Sequence, residues 1–209
     1  MTSENFESAW IFAHRGQWLS YDQQNTITSF SKAFRNGFSV EADIRERMGR
    51  LVISHDVPDY NDSLFELELS ESTRFALNVK EDGLLHHLEN SRNHIITSSS
   101  FVFDGSLPEM YRYKNVGIPH ALRLSEYENE IPWKSEYLWI DGFNSDWWIG
   151  DPKVLSFVED YQCIFVSPEL HGRDHSRAFD WFADLKINHG LNLSVCTDFP
   201  QDLKDHSNG

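Results

Sequence analysis

Short apolar runs that stop at a polar or charged cluster recur along the chain, and between them the apolar residues fall at helical spacing. Trp10 to Ala13 is the first such run; it stops at His14-Arg15-Gly16 and reads as a strand and its turn. From Thr26 to Asn36, Ile27, Phe30, Ala33 and Phe34 share one helix face, with Asn25 as the expected N-cap and Gly37 as the terminator. Phe38 to Ile44 and Leu51 to Ser54 read as strands joined through Met48-Gly49, a pair that suits a hairpin turn. Further strands are expected at Arg74 to Val79, Phe101 to Phe103, Ala121 to Leu124, Tyr137 to Ile140, Cys163 to Val166 and Leu193 to Cys196. Helical spacing covers Leu84 to Arg92, Leu107 to Lys114, Pro152 to Tyr161 and Arg177 to Ile187.

With the hairpin strand set aside, eight strands alternate with helices or helix-length loops, which argues for a parallel α/β architecture. The expectation is one compact domain over residues 1–209 forming a (β/α)8 TIM barrel; a doubly wound open sheet is the competing arrangement, and periodicity alone leaves it standing. Seven Trp and fifteen Phe supply ample apolar area for one core. The first few residues and the polar tail after Leu203 are expected to be disordered. Met1 to Ser8 carries two Glu and no apolar centre, unlike a signal peptide, and no run reaches membrane-spanning length. A cytoplasmic location without stable membrane association follows as the expectation. Cys163 and Cys196 each lie inside an apolar run and read as buried free thiols.

The formal charge of −15 changes the search for chemistry. A nucleic-acid partner calls for a basic face, and a membrane-surface protein for a polybasic or amphipathic segment; neither pattern is present. A chain this acidic that handles an anion needs a bound cation, a few well-placed Arg or Lys, or both.

In either α/β arrangement the chemistry gathers at the carboxyl ends of the strands. Those ends carry His14-Arg15, Glu41 and Asp43, His55-Asp56, Asn78 and Lys80, Asp104, Arg123, Asp141, Glu169-Leu-His171-Gly-Arg173, and Thr197-Asp198. Glu41 and Asp43 are two apart on a strand and project to the same face. Two carboxylates that close repel unless a cation or a shared proton intervenes, and all-oxygen ligation favours a hard ion such as Mg²⁺ or Ca²⁺. Ion pairing to Arg45, Arg15 or another base satisfies the pair equally well on spacing alone. His14 and His55 each follow a strand, and two imidazoles suit proton transfer on opposite sides of a phosphorus. Glu169, His171 and Arg173 are read as lying over the substrate, or else as a salt-bridge cluster before the next helix. Asp146-Trp-Trp-Ile149 reads as core packing rather than a sugar-stacking platform.

Ala13-His-Arg-Gly16, Asn25-Thr26, Ser29-Phe30, Ala33, Gly37, Glu41, Asp43, Gly49, and Val52 through His55-Asp56 together resemble the glycerophosphodiester phosphodiesterase signature. The resemblance continues at Leu77-Asn-Val-Lys80 and at Thr197-Asp-Phe-Pro200; the middle of the chain matches in strand rhythm only. It implies a TIM barrel, a His14/His55 acid/base pair, Glu41, Asp43 and Asn78 around a divalent cation, and Arg15 and Lys80 on the phosphate. Three departures stand out. Asn78 replaces a third metal-binding Glu, Gln23-Gln24 replace Pro-Glu, and the stretch after His55-Asp56 is too short for the family's small inserted subdomain. Without that lid the site is expected to be open, or covered by loops bearing Trp133, Trp147 and Trp148.

The implied function is a metal-assisted phosphodiesterase of lipid metabolism acting on a small soluble glycerophosphodiester, by attack of water or of a neighbouring substrate hydroxyl. A degenerate barrel that binds a phosphorylated ligand without turnover is the alternative, with Asn78 as its support. A metal-independent phospholipase-like barrel is disfavoured by the paired Glu41 and Asp43.

Overall fold

The computed structural model describes residues 10–65, 74–90 and 100–207. Eight strands run parallel around a barrel: β1 (Ile11–His14), β2 (Ser39–Arg47), β4 (Phe75–Val79), β5 (Phe101–Phe103), β6 (Ala121–Leu124), β7 (Tyr137–Ile140), β8 (Gln162–Val166) and β9 (Leu193–Thr197). The ninth, β3 (Arg50–Ile53), pairs antiparallel with the upper half of β2 and stands outside the ring. One isolated parallel bridge, Val102 to His120, joins β5 to the approach of β6 and closes the circle. The barrel expectation therefore holds, and the open sheet is excluded.

Helices α1 (Ile27–Arg35), α2 (Leu85–Asn90), α3 (Leu107–Val116), α4 (Pro152–Asp160) and α5 (Ser176–Ile187) connect strands on the outside, and α6 (Pro200–His206) follows the last strand. Between β6 and β7 the connection is a loop. The expected end of α2 at Ser91-Arg92 lies outside the described residues, as do Met1 to Ser8. Two cores result. One lies between the strands and the helices, with Phe30, Val40, Leu77, Leu138, Phe165 and Phe182 buried in it. The other fills the barrel lumen with Phe12, Phe101, Phe103, Tyr137, Trp139, Ile164 and Cys196. In the lumen Phe101 stacks on Tyr137 at 4.4 Å and Phe103 on Trp139 at 3.9 Å, reaching past small Ala121 on the intervening β6. This aromatic plug seals the lumen below the mouth and leaves the mouth to polar residues.

Several local expectations change. Thr26, not Asn25, caps α1: its hydroxyl accepts from the Ser29 amide, and Ser29 reciprocates in a capping box. Asn25 is one residue too early and takes a left-handed conformation, φ 52°. The start of the tail after Leu203 is helical, because α6 drives Leu203 fully into the outer core. Trp133, Trp147 and Trp148 form no lid. Trp148 is fully buried against Phe165 and Phe182, while Trp133 and Trp147 pack on the same core. Met48 and Gly49 turn the hairpin with φ of 51° and 80°, both left-handed, as a tight two-residue hairpin demands. Cys163 and Cys196 are buried free thiols, and burial raises both above the ordinary thiol range.

Candidate active site

Alternation along each strand decides what reaches the mouth. His14 follows lumen-facing Phe12 by two residues, Asn78 follows Ala76, Arg123 follows Ala121 and Asp141 follows Trp139. Glu41 lies beside His14 in the parallel register, and Asp43 lies beside Asn78. Glu41, Asp43 and Asn78 are all buried at the mouth rim.

His14 is held by a partner 184 positions away: its Nδ1 is 2.6 Å from Asp198 Oδ1. An ionised carboxylate only accepts, so Nδ1 carries the proton and Nε2 is left to exchange one. Nε2 faces Glu41 Oε2 at 3.9 Å. Burial opposes the imidazolium, but the Asp198 hydrogen bond and the charges of Glu41 and Asp198 outweigh it and raise the His14 pKa. Burial, and next the Asp43 charge, push the Glu41 carboxyl up to about 7. The backbone amide of Arg15 donates to Glu41 Oε2 at 3.2 Å.

Asp43 behaves differently. Burial works against its charge, but Lys80, Arg15 and a hydrogen bond from Asn25 outweigh that and hold the carboxyl below its ordinary value. Arg15 Nε lies 3.0 Å from Oδ2, Lys80 Nζ 3.2 Å from Oδ1, and Asn25 Nδ2 donates to Oδ2 at 2.7 Å. Of the bases weighed for this pair, Arg15 is engaged and Arg45 is not; Arg45 turns to Glu81 and to the His55 carbonyl. Arg15 and Lys80, expected on the phosphate, converge on Asp43. Asn25, expected as a helix cap, instead bonds Asp43.

His55 is placed apart from His14. The Ser54 amide donates to the Asp43 carbonyl at 3.2 Å, so the exit of β3 abuts the upper edge of β2. The His55 side chain is 47% exposed and its Nδ1 meets Asp56 at 3.0 Å, a partner that is itself almost fully exposed. Arg15, Gln24, Asn25 and His55 line one cavity of about 450 Å³ between the loops after β1 and β3. Glu41 and Asp43 therefore lie between the two histidines, with Arg15 common to both sides.

No protein-family model matches the sequence, and no curated protein matches it. Solved structures do. A glycerophosphodiester phosphodiesterase from Agrobacterium tumefaciens matches 93% of this chain and 98% of its own, at TM-score 0.65 and 13% identity. A glycerophosphoryl diester phosphodiesterase from Parabacteroides distasonis matches over 94% and 85%, at TM-score 0.60 and 13% identity. A Galdieria sulphuraria structure matches over 95% and 97%, at TM-score 0.66 and 16% identity. This chain has the glycerophosphodiester phosphodiesterase fold.

In that fold the polar residues after β8 make hydrogen bonds and ion pairs within the protein, as the cluster reading of this segment expected. Glu169 turns inward to the ends of β8 and β9, accepting from Ser167 Oγ, Thr197 Oγ1 and the Asp198 amide. Arg173 reaches the Gly142 and Phe143 carbonyls at 2.6 and 2.9 Å and Asp146 at 3.1 Å, bracing the loop after β7. His171 Nε2 meets Asp141 Oδ1 at 2.7 Å. Arg123 on β6 pairs with Asp104 and lies 3.6 Å from Glu128. Asp104 and Asp198 have no role assigned from sequence; for Asp104 the signal is a charged residue directly after an apolar strand, and for Asp198 also its place in Thr197-Asp-Phe-Pro200.

The oxygens suit a hard divalent cation. Asp43 Oδ1 and Asn78 Oδ1 are buried and accept no hydrogen bond among the described residues. With the Glu41 carboxylate they form an all-oxygen donor set of the kind Mg²⁺ or Ca²⁺ takes. Among the described residues no group of three or more His, Cys, Asp or Glu is gathered as a metal sphere, and Asn78 would have to supply the third oxygen from an amide. No described helix is long and apolar enough to cross a membrane.

Proposed function

We propose that the chain is a metal-assisted phosphodiesterase that cleaves a small glycerophosphodiester-like substrate, with His14 and His55 as the acid/base pair. The observation that carries this reading is the His14 imidazole, clamped at Nδ1 by Asp198 with Nε2 turned toward Glu41 at the barrel mouth. A clamped imidazole has one proton-exchanging nitrogen in a defined direction, which is what general acid/base catalysis requires. His55 stands across the β2 carboxylates from it, in the Arg15 cavity, whose volume suits a small ligand.

Arg15 and Lys80 orient the phosphate, Arg15 with its planar fork and Lys80 as a point charge. Glu41, Asp43 and Asn78 would hold a Mg²⁺ or Ca²⁺ ion, which supplies charge neutralisation at non-bridging phosphate oxygens. One histidine takes the proton of the attacking water or substrate hydroxyl, and the other protonates the departing alkoxide. Asp198 keeps His14 in a single tautomer throughout. The substrate is a small soluble phosphodiester, and the setting is lipid metabolism in the cytoplasm.

The test is hydrolysis of a glycerophosphodiester panel with Mg²⁺, Ca²⁺ or excess chelator. Metal-dependent release of an alcohol and a phosphomonoester is expected, and His14→Ala or His55→Ala should each lower kcat by about 10²-fold or more. Near-normal turnover in either variant would remove that histidine from the pair. The tight capture of Asp43 by Arg15, Lys80 and Asn25 favours one second reading, a barrel that binds a phosphorylated ligand without turnover. Silence across the panel with no ion bound would select it.

A further inference from the structure

Glu169 has the chemistry of a substrate contact and the placement of a brace. Its side chain is 8% exposed, and it rises from the single 3-10 turn, Pro168–His171, that follows β8. One oxygen, Oε1, accepts from the Asp198 backbone amide at 3.1 Å and from the Thr197 hydroxyl. The other, Oε2, accepts from the Ser167 hydroxyl and lies 4.0 Å from His175 Nδ1. The Thr197 hydroxyl in turn accepts from the Phe199 amide at 3.0 Å, and the Ser167 amide donates to the Cys196 carbonyl. Three donors from two strand ends thus converge on one buried carboxylate.

We infer that Glu169 is a positioning residue for the reaction: by fixing the backbone at Thr197-Asp198 it aims the Asp198 carboxylate at His14 Nδ1. The inference rests on the phosphodiesterase reading only for its kinetic arm. A carboxylate that accepts three hydrogen bonds has little capacity left for a ligand, which separates this role from substrate binding. The device is geometric. Asp198 stands at a strand end, where backbone rotation would swing its side chain, and a second-layer carboxylate removes that freedom.

The experiment compares Glu169→Ala and Glu169→Gln in the full chain. Glutamine keeps an oxygen for the two β9 donors and offers its NH2 to Ser167 Oγ, whose hydroxyl then accepts. Glu169→Ala is expected to lower kcat by about 10–100-fold with KM changed by less than about threefold, and Glu169→Gln to recover most of kcat. In proton NMR, the His14 Nδ1–H signal, assigned by its loss in His14→Ala, should broaden or vanish in Glu169→Ala and persist in Glu169→Gln. A Glu169→Gln variant as impaired as Glu169→Ala would overturn the inference, because a proton-transferring or charge-supplying Glu169 fails with either change. A raised KM with kcat retained would instead make Glu169 a substrate contact. Should wild type turn over nothing, the NMR comparison still decides: an unchanged His14 signal in Glu169→Ala ends the inference on its own. If Glu169→Ala does not fold, Thr197→Val loses one of the two grips on β9 and should broaden the same signal; an unaltered signal has the same overturning force.

Discussion

Asp43 Oδ2 takes a hydrogen bond from Asn25 and an ion pair from Arg15, while Oδ1 faces Lys80 and accepts no hydrogen bond among the described residues. Among the described residues, three of the four non-glycine positions with left-handed backbone, Arg15, Asn25 and Asp104, stand at the barrel mouth, where such strain is commonly retained for function. Asn25 owes its reach to Asp43 to that conformation. The i, i+2 spacing of Glu41 and Asp43 made their shared face legible from the sequence, since side chains alternate along any strand. Which cations would meet Asp43 was not legible, because Lys80 arrives from the neighbouring strand. Asn78 is the residue with most to gain by substitution. Among the described residues its amide oxygen is buried without a hydrogen-bond partner beside Asp43, so Asn78→Glu would add a charge to the proposed donor set. Calorimetric titration with Mg²⁺ or Ca²⁺ should show affinity rising by about tenfold or more. Equal affinity in the two proteins would take Asn78 out of the ion's shell.

At the scale of elements, the loops around the mouth are fixed by side chains that grip backbone. Glu126 accepts from the amides of Phe143, Asn144 and Ser145, while Arg173 holds the Gly142 and Phe143 carbonyls from the opposite side. The loop after β7 is thereby clamped on both its donors and its acceptors. At the entry to β6, buried His120 donates from Nδ1 to the Ile118 carbonyl at 3.0 Å and accepts at Nε2 from the Trp133 indole at 2.9 Å. This pairing needs the neutral ring, and burial lowers the His120 pKa from its ordinary 6.5. The sign follows directly. Below the unfolded value the unfolded chain binds a proton that the folded ring resists, so this contribution is full above that pH and lost as pH falls beneath it. Urea unfolding from about pH 7.5 to about pH 5 should therefore show a steeper stability loss for wild type than for the non-titrating His120→Gln. Parallel slopes would mean that His120 takes no part in the pH response.

The whole molecule closes unevenly. Most neighbouring strands share three or more consecutive register pairs, whereas β5 meets β6 through the Val102–His120 bridge and the Val102 amide bonded to the Pro119 carbonyl. Inside the ring, aromatic stacking across β5 and β7 carries what backbone pairing does not. Local opening begins where the fewest backbone bonds must break. The Val102 amide should exchange with solvent more than about tenfold faster than the Leu138 and Ile164 amides, measured by hydrogen exchange under native conditions. Comparable protection at all three would show that the lumen aromatics hold this seam as firmly as paired strands hold the rest.

The linear chain determined which segments become strands and helices, because periods of two and 3.6 are written in the order of apolar residues. It also determined that His14, Glu41, Asp43, Asn78 and His55 end up near the carboxyl ends of strands, since each directly follows or occupies an apolar run. Periodicity left open whether the strands close into a barrel, which the family resemblance implied, and tertiary structure alone decided that Asp198 rather than a nearer residue clamps His14. It turned Asn25 from a cap into a ligand of Asp43, anchored α6 through Leu203, and set Glu169 inward as a brace. Periodicity is a property of neighbours along the chain, whereas ring closure and ion pairing depend on which distant strands become neighbours in space.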